Sequence, residues 1–446
     1  MKMNFNKIQV NIEGESHSER LNVEIKGLPA DVSFDREELQ AFMDRRHGDG
    51  SYICELVGTG RHEPDVAEFD ELGEVIKAHI DNKDVRSKDY DKLRTVLRPG
   101  HADLGAFLKY GAEGLKPGGG EFSGRMTAAM CLAGGIAKQL LEKQGVEIDS
   151  YILQMGGMTT AFLDEEDEAE FFQRIEEIAE SGDSCGAIIG CVVKNYPCGI
   201  GGPGMDGLEG DLARAMLAIP SAKGVEFGSG FEGSYWRGSR NNDEYFLSEG
   251  RIVSRSNKQG GISGGISTGM NITCNVAFKP VPSIGLEQRT VDIEKMEETV
   301  INIEGRHDVC IAPRVMPVVE AMAALVLYDR LIAEWGAVMA EKKYEGMNLE
   351  ELREQIDAVD KELMEKFRER MALSAEIAKF KKANGMPILD VEREKLKLNK
   401  IAKNVEDELS GFTSKLYLTL ADLSKVYQGQ ILDMDLDDID LEEDDL

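Results

Sequence analysis

The pattern of apolar and polar positions changes at about residue 340 of the 446-residue chain. Before that point, runs such as CGAIIGCVVKNYP (185–197) and NITCNVAFKPVPS (271–283) read as buried strands, because apolar, often branched residues continue between glycine and proline breaks. Helical stretches lie between them. PGGGEFSGRMTAAMCLAGGIAKQLL (117–141) is a glycine loop opening into an apolar helix. Pro313 and Pro317 fix the entry to another helix, whose apolar face runs Val318, Met322, Leu325 and Leu327. The mixture predicts an α/β or α+β domain over 1–335. From Asn348 to about Leu432 glycine is nearly absent, and Leu349, Leu352, Ile356, Val359, Leu363 and Phe367 recur at spacings of three and four. That pattern predicts a helical domain over 348–432. GAVMAEKKYEGM (336–347) reads as a polar linker, and DMDLDDIDLEEDDL (433–446), with nine acids, as a solvated, disordered tail.

Charge and cysteine usage narrow the function classes. A formal net charge of -30 argues against nucleic acid as a partner, and an anionic substrate then requires a local basic cleft. Seven cysteines, at 54, 131, 185, 191, 198, 274 and 310, form no CxxC pair; they suit a reduced compartment and give no metal-binding spacing. The amino terminus has no apolar signal core, and the most apolar stretch, 321–340, is broken by Asp329, Arg330 and Glu334. A cytoplasmic protein without a membrane span is expected.

Candidate chemistry gathers in loops. His17 (GESHSER), His101 (LRPGHADLGAF) and His307 (EGRHD) sit in turn-like settings beside acids, as proton transfer near neutral pH requires, whereas His47, His62 and His79 read as surface residues. Ser123 and Arg125 stand where the glycine loop meets its helix, so backbone amides and a guanidinium could hold an anion there. QGGISGGISTGM is a second glycine loop. Each loop alone is better explained by chain geometry, but the two together with RPGHAD and EGRHD point towards a site.

In order, GESH (14–17), DVRSKDY (84–90), RPGHAD (98–103), GGGEFSGRMTA (118–128), RGSRNNDEYF (237–246), GGISGGISTGMNI (260–272), AFKPVPSI (277–284) and GRHDVCIAPRVMPVVEAMAALVL (305–327) resemble the motifs of chorismate synthase. The resemblance implies an α+β sandwich, with helices between antiparallel sheets, that assembles as a homotetramer. It implies trans 1,4-elimination of phosphate from 5-enolpyruvylshikimate 3-phosphate with reduced FMN, supplied by an external, NADP-linked flavin reductase. By position, His17 protonates the departing phosphate, His101 stabilises a ring nitrogen of the reduced flavin, and Asp308 tunes the nitrogen that accepts the substrate proton. Arg306, Ser123, Asn241, Asn242, Gly264, Lys279 and Ser283 match flavin contacts, and Arg46 and Arg125 substrate contacts. Three departures stand out. Ser18 follows GESH in place of glycine; the loop after Arg45 and Arg46 lacks the family's arginine spacing and is shortened after Asp65; and Glu121 replaces a basic residue. Beside an anionic substrate, Glu121 must be exposed, protonated or paired.

LREQIDAVDKELMEKFRERMALSAEIAKFKKANGMPILDVEREK with LADLSKVYQ resembles the all-helical chorismate mutases. That family folds chorismate into its diaxial shape and stabilises charge on the ether oxygen, without a nucleophile. The resemblance matches Arg353, Arg370 and Arg393 to carboxylate binding, Lys381 and Gln428 to the ether oxygen, and Asp390, Glu394 and Ser424 to the hydroxyl and pocket support. Its first arginine reaches into a partner's site, which implies dimeric mutase units. The sequence thus reads as an enzyme converting the phosphate ester to chorismate and then to prephenate. Two alternatives remain: a helical domain acting as a regulatory sensor, or an inactive first domain acting as a scaffold for an active mutase.

Overall fold

A computed structural model of the chain describes residues 1–29, 32–48, 51–58, 65–73, 75–82, 95–160, 165–248, 250–303, 307–342, 349–384 and 407–432. The chain divides into two compact units, Met1–Ala340 and Glu341–Leu446.

The first unit holds two five-stranded antiparallel sheets. One contains β1 (Lys2–Asn4), β2 (Gln9–Glu13), β3 (Arg20–Lys26), β4 (Ala67–Glu71) and β5 (Val75–Asp81), in the order β1-β2-β3-β5-β4. Its strands alternate: Val10, Ile12, Leu21, Val23, Ile25, Ile76, Ala78 and Ile80 are buried, while charged and polar residues occupy the outward face. The second sheet contains β6 (Glu147–Met155), β7 (Met158–Thr159), β8 (Ala187–Lys194) and β9 (Ala222–Phe227). Two hairpins follow, β10–β11 (Tyr245–Ser248, Arg251–Ser254) and β12–β13 (Ile262–Ser263, Ile266–Ser267), before β14 (Ile272–Phe278) completes the order β7-β6-β8-β14-β9. The strand-like runs read from sequence are β8 and β14, antiparallel neighbours with Cys274 opposite Cys191. A last hairpin joins β15 (Gln288–Asp292) to β16 (Glu297–Ile301).

Helices α1 (Arg36–Asp44), α2 (Tyr52–Val57), α3 (Asp103–Tyr110) and α4 (Thr127–Glu142) precede the second sheet. Next come α5 (Glu165–Glu180), α6 (Leu208–Leu217) and the single turns α7 (Gly230–Gly233) and α8 (Gly238–Asn241). α4 packs on β3 of one sheet and β6 of the other, and all its residues from Thr127 to Leu141 except Lys138 are buried. It meets α9 (Ala312–Lys342) backbone to backbone at Gly134, where a Cβ would stand 2.4 Å from the carbonyl oxygen of Ala321. The face expected on α9 is replaced by burial nearly all round: from Val318 to Leu331 every residue is buried, because the helix runs through the core. Pro317 lies inside the helix. The charges that interrupt its apolar run are anchors. Asp329, 1% exposed, accepts the backbone N–H groups of Asn6, Lys7 and Ile8 at 2.7–2.9 Å, and Arg330 pairs with Asp211 and Glu334. No helix among the described residues is long and apolar enough to cross a membrane.

In the second unit α10 (Leu349–Asn384) packs against α11 (Asp407–Ile431). Ser374, Ala378, Ser424, Lys425 and Gln428 are buried, while Leu349, Ile356, Val359 and Leu363 of the heptad pattern are 53–63% exposed.

Candidate functional site

A buried electrostatic hub lies under the glycine loop before α4. Asp65, 5% exposed, pairs with Arg46 and Arg125 and stands 3.3 Å from His47 Nε2. Burial alone would raise its pKa, but the hydrogen bond from His47 and the charges of Arg46 and Arg125 hold the carboxyl well below its ordinary range. Arg46, 2% exposed, also donates to Thr127 Oγ1 at 3.0 Å. His47 and His79, expected at the surface, are nearly buried, each against carboxylates; His62 lies outside the described residues.

Arg125 is half-buried and extends towards the GESH turn. Its Nε donates to Asn82 Oδ1 at 2.7 Å, and Asn82 Nδ2 in turn donates to the Ser18 carbonyl at 2.7 Å. The turn is closed by Ser18, whose hydroxyl has the Arg20 and Glu15 carbonyls as alternative acceptors at 2.7 and 2.9 Å and accepts from the Glu15 N–H, so the side chain ties the loop. His17 packs directly on the glycine loop: a Cβ at Gly118 would lie 2.3 Å from His17 Cε1. Ser16 N–H donates to the Gly120 carbonyl and Ser123 Oγ to Ser16 Oγ, both at 3.3 Å, so His17, Ser123 and Arg125 converge. Burial lowers the His17 pKa, and Glu15 partly opposes this. Glu121 is exposed, with Lys109 and Lys116 near enough to feel its charge, so the feared buried acid does not arise.

Across the loop, buried Arg98 grips Asp103 through Nε and Nη2 at 2.8 and 2.7 Å, and Arg98 Nη2 lies 3.7 Å from where a Gly119 Cβ would sit. This pair fixes the turn that presents His101, whose Nε2 is 2.9 Å from Ser283 Oγ. Burial, then the Arg98 charge, push His101 down to about 4, so it is a neutral imidazole at pH 7. Lys279 donates to the Gly100 carbonyl, and burial lowers its pKa too. His307 donates to the Ile303 carbonyl at 2.8 Å, while Asp308 pairs with Arg314 at 3.2 Å. Arg306 lies outside the described residues.

Asn241, Asn242 and Gly264 are not brought to this cluster within one chain. Asn241 Oδ1 accepts from Ser229 beyond the end of β9, while Lys279 follows the opposite end of the antiparallel β14. Seven residues of strand separate the two ends, about 20 Å.

In the second unit Arg370 donates to the Leu420 carbonyl at 2.7 Å and to Ser424 Oγ, with burial lowering its pKa. Gln428 follows one turn after Ser424, 8% exposed, with a buried Oε1 that has no hydrogen-bond partner among the described residues. Lys381 is half-buried near the end of α10, and Arg353 is exposed. Asp390, Arg393 and Glu394 lie outside the described residues.

Sequence reading missed Asp65, His47, Asn82, Asp103 and Arg314 as parts of the first site. Asp103 had a signal, lying inside RPGHAD five residues from Arg98; Asp65 and Asn82 had none, because their partnerships with Arg125 span 60 and 43 residues.

A family model described as Chorismate synthase matches residues 8–332, and one described as Chorismate mutase type II matches residues 352–429. The chain is 41% identical over 345 residues to the chorismate synthase of Dehalococcoides mccartyi, covering 72% of this chain and 94% of the relative. It is 39% identical over 339 residues to that of Thermococcus kodakarensis, with the same coverage. A solved chorismate synthase crystal structure aligns with a TM-score of 0.57 at 26% identity, over 80% of this chain and 98% of the other.

Proposed function

Since the chain belongs to the chorismate synthase family and carries a chorismate mutase type II domain after it, we propose that its first unit converts 5-enolpyruvylshikimate 3-phosphate to chorismate with reduced FMN and its second converts chorismate to prephenate. The fusion makes a bifunctional shikimate-pathway enzyme, a phosphate lyase joined to an isomerase.

The residues of the first site fit a flavin. His101, Ser283 and Ser123 offer donors and acceptors to a heteroaromatic ring, and Lys279 offers a cation. When bound, reduced FMN supplies electron density to the substrate ring and recovers it, without net redox change. Arg125 binds the substrate phosphate, and Asp65 and Asn82 orient its guanidinium. His17 delivers a proton to the departing phosphate; an adjacent polyanion raises its burial-lowered pKa towards the working range. His101 meets the flavin as a neutral imidazole and gains a proton when negative charge arrives beside it. Asp308, held by Arg314, tunes the flavin nitrogen that accepts the substrate proton, and Arg306 contributes a flavin contact by its position in the family motif. The separation of Asn241, Asn242 and Gly264 from Lys279 favours a homotetramer in which a neighbouring copy completes the flavin site. Reduced flavin comes from an external, NADP-linked reductase.

In the second unit the rearrangement needs no nucleophile. Arg370 and Arg393 bind carboxylates, Lys381 and Gln428 stabilise charge on the ether oxygen, and Asp390, Glu394 and Ser424 hold the hydroxyl or support the pocket. A buried amide oxygen without a partner costs about 1–3 kcal/mol, and a polar ligand against Gln428 relieves that cost. The exposed stripe Leu349, Ile356, Val359, Leu363 supports dimeric mutase units in which Arg353 reaches the partner's site.

The packing of His17 on Gly118, with Ser16 at the same glycine hydrogen-bonded to Ser123 and Ser123 accepting from the Arg125 N–H, carries the reading of the first site. Anaerobic incubation with the phosphate ester and photoreduced FMN, following phosphate and separating chorismate from prephenate, tests both. Phosphate with prephenate is expected. Phosphate with chorismate alone makes the second unit a sensor; no phosphate, with added chorismate still converted, makes the first unit a scaffold.

A further inference from the structure

Outside both sites, one imidazole is nearly enclosed by three carboxylates. Strand alternation turns His79 to the outward, polar face of the first sheet, yet it is only 7% exposed. Its cover is acidic: Glu68 lies directly across from it on β4, Asp70 two residues further along β4, and Asp81 two residues further along β5. We propose that Glu68, His79 and Asp81 form a divalent-cation site of the zinc type.

One ligand atom from each of the three residues lies within 4.8 Å of the others. Zinc bonds of about 2.0–2.2 Å require such atoms to stand roughly 3.4 Å apart. The carboxylates can close that gap, because the Glu68 and Asp81 side chains are 64% and 46% exposed, whereas His79 is fixed. Asp70 Oδ2 holds Nδ1 at 2.9 Å, which sets the tautomer that leaves the Nε2 lone pair free to coordinate. Nε2 faces Glu68 Oε2 at 3.4 Å, longer than an ordinary hydrogen bond. A carboxylate that orients a histidine whose other nitrogen binds metal is a recurrent arrangement.

Local charge agrees. Against three carboxylates stand Arg20, 3.4 Å from Asp81, and the imidazole itself; Asn22, opposite His79 on β3, is neutral. Lys77 is engaged by Glu71 at 2.6 Å and Lys26 by Glu24 at 2.7 Å. Even with His79 protonated, one negative charge remains, and a divalent ion bound to neutral His79 removes it. None of the ligands is a cysteine, so cysteine spacing gave no sign of them. The Asp81 carbonyl accepts from Arg125 Nη2 at 3.4 Å, so an ion here would stiffen the strand end beside that arginine.

The test is calorimetric titration of Zn²⁺ into the tag-free full chain, stripped with chelator, at about 0.3 M salt, where diffuse attraction to the acidic surface is screened within 10 Å. One equivalent should bind, and the dissociation constant should rise at least about tenfold in Glu68→Gln and in Asp81→Asn, both exposed positions that leave the core intact. His79→Gln should abolish the visible spectrum of bound Co²⁺. Absence of stoichiometric binding, or binding of unchanged strength in both carboxylate variants, overturns the assignment and leaves His79 as an ion-paired surface histidine.

Discussion

At Gly118 one added methyl group separates the two activities. A Cβ there would lie 2.3 Å from His17 Cε1, 2.6 Å from Nδ1 and 2.8 Å from Ser16 Oγ, on a backbone with φ of +62°. Gly118→Ala must therefore move His17 or the loop, and displacing a proton donor by about 1 Å costs on the order of 10²-fold in rate. Phosphate release should fall by about that factor while conversion of added chorismate stays unchanged; an equal loss of both activities would point to general misfolding instead. His101 makes a second prediction, in stability. Its folded pKa of about 4 lies below the ordinary value of 6.5, so the unfolded chain takes up a proton first as pH falls. The associated stability is fully present above about pH 6.5 and is lost progressively down to about pH 4, on the order of 3 kcal/mol. Urea unfolding at pH 7 and pH 4.5 should show a shallower acid-side loss in His101→Asn than in the wild type; equal slopes would mean that the imidazole is solvated.

Among the elements, α10 is where sequence and structure each supply half of the picture. The three-and-four spacing of Leu349, Ile356, Val359 and Leu363 is legible in the sequence because a 3.6-residue period needs no partner to be read. Only the structure shows that this stripe remains exposed while Ser374, Ala378 and Ser424 are covered. For α9 the outcome was the reverse: its apolar face was legible, but its enclosure was not, since Asp329 reads as a solvent-facing charge until the three amides it accepts come into view. The α10 stripe has a direct test. Ile356→Glu with Leu363→Glu adds charge at positions 60% and 54% exposed, so a lone unit should lose little stability. If a second copy covers the stripe, sedimentation of the full chain should show a smaller assembly, and mutase activity should fall at least about tenfold. Unchanged sedimentation and turnover would mean that nothing docks there.

For the whole molecule, the motifs in glycine loops were legible because a histidine or serine beside glycine has little to pack against, whereas the hub at Asp65 was not, because lone acids and amides acquire roles only when distant segments meet. The same contrast argues for independent sites. Each unit has its own packing, α4 and α9 in the core of the first and the Arg370–Ser424 contact in the second, so a defect in one need not reach the other. Arg370→Ala removes the donor to Leu420 and Ser424 from the second unit alone. Losing one group that stabilises a transition-state charge costs on the order of 10²–10³-fold in rate. In the anaerobic assay this variant should release phosphate within about twofold of the wild-type rate and accumulate chorismate, with prephenate formation slowed about 10²–10³-fold. A comparable fall in phosphate release would mean that the first unit depends on the second, through assembly or through removal of its product, and restoring the rate with a separate chorismate mutase would identify product removal as the cause.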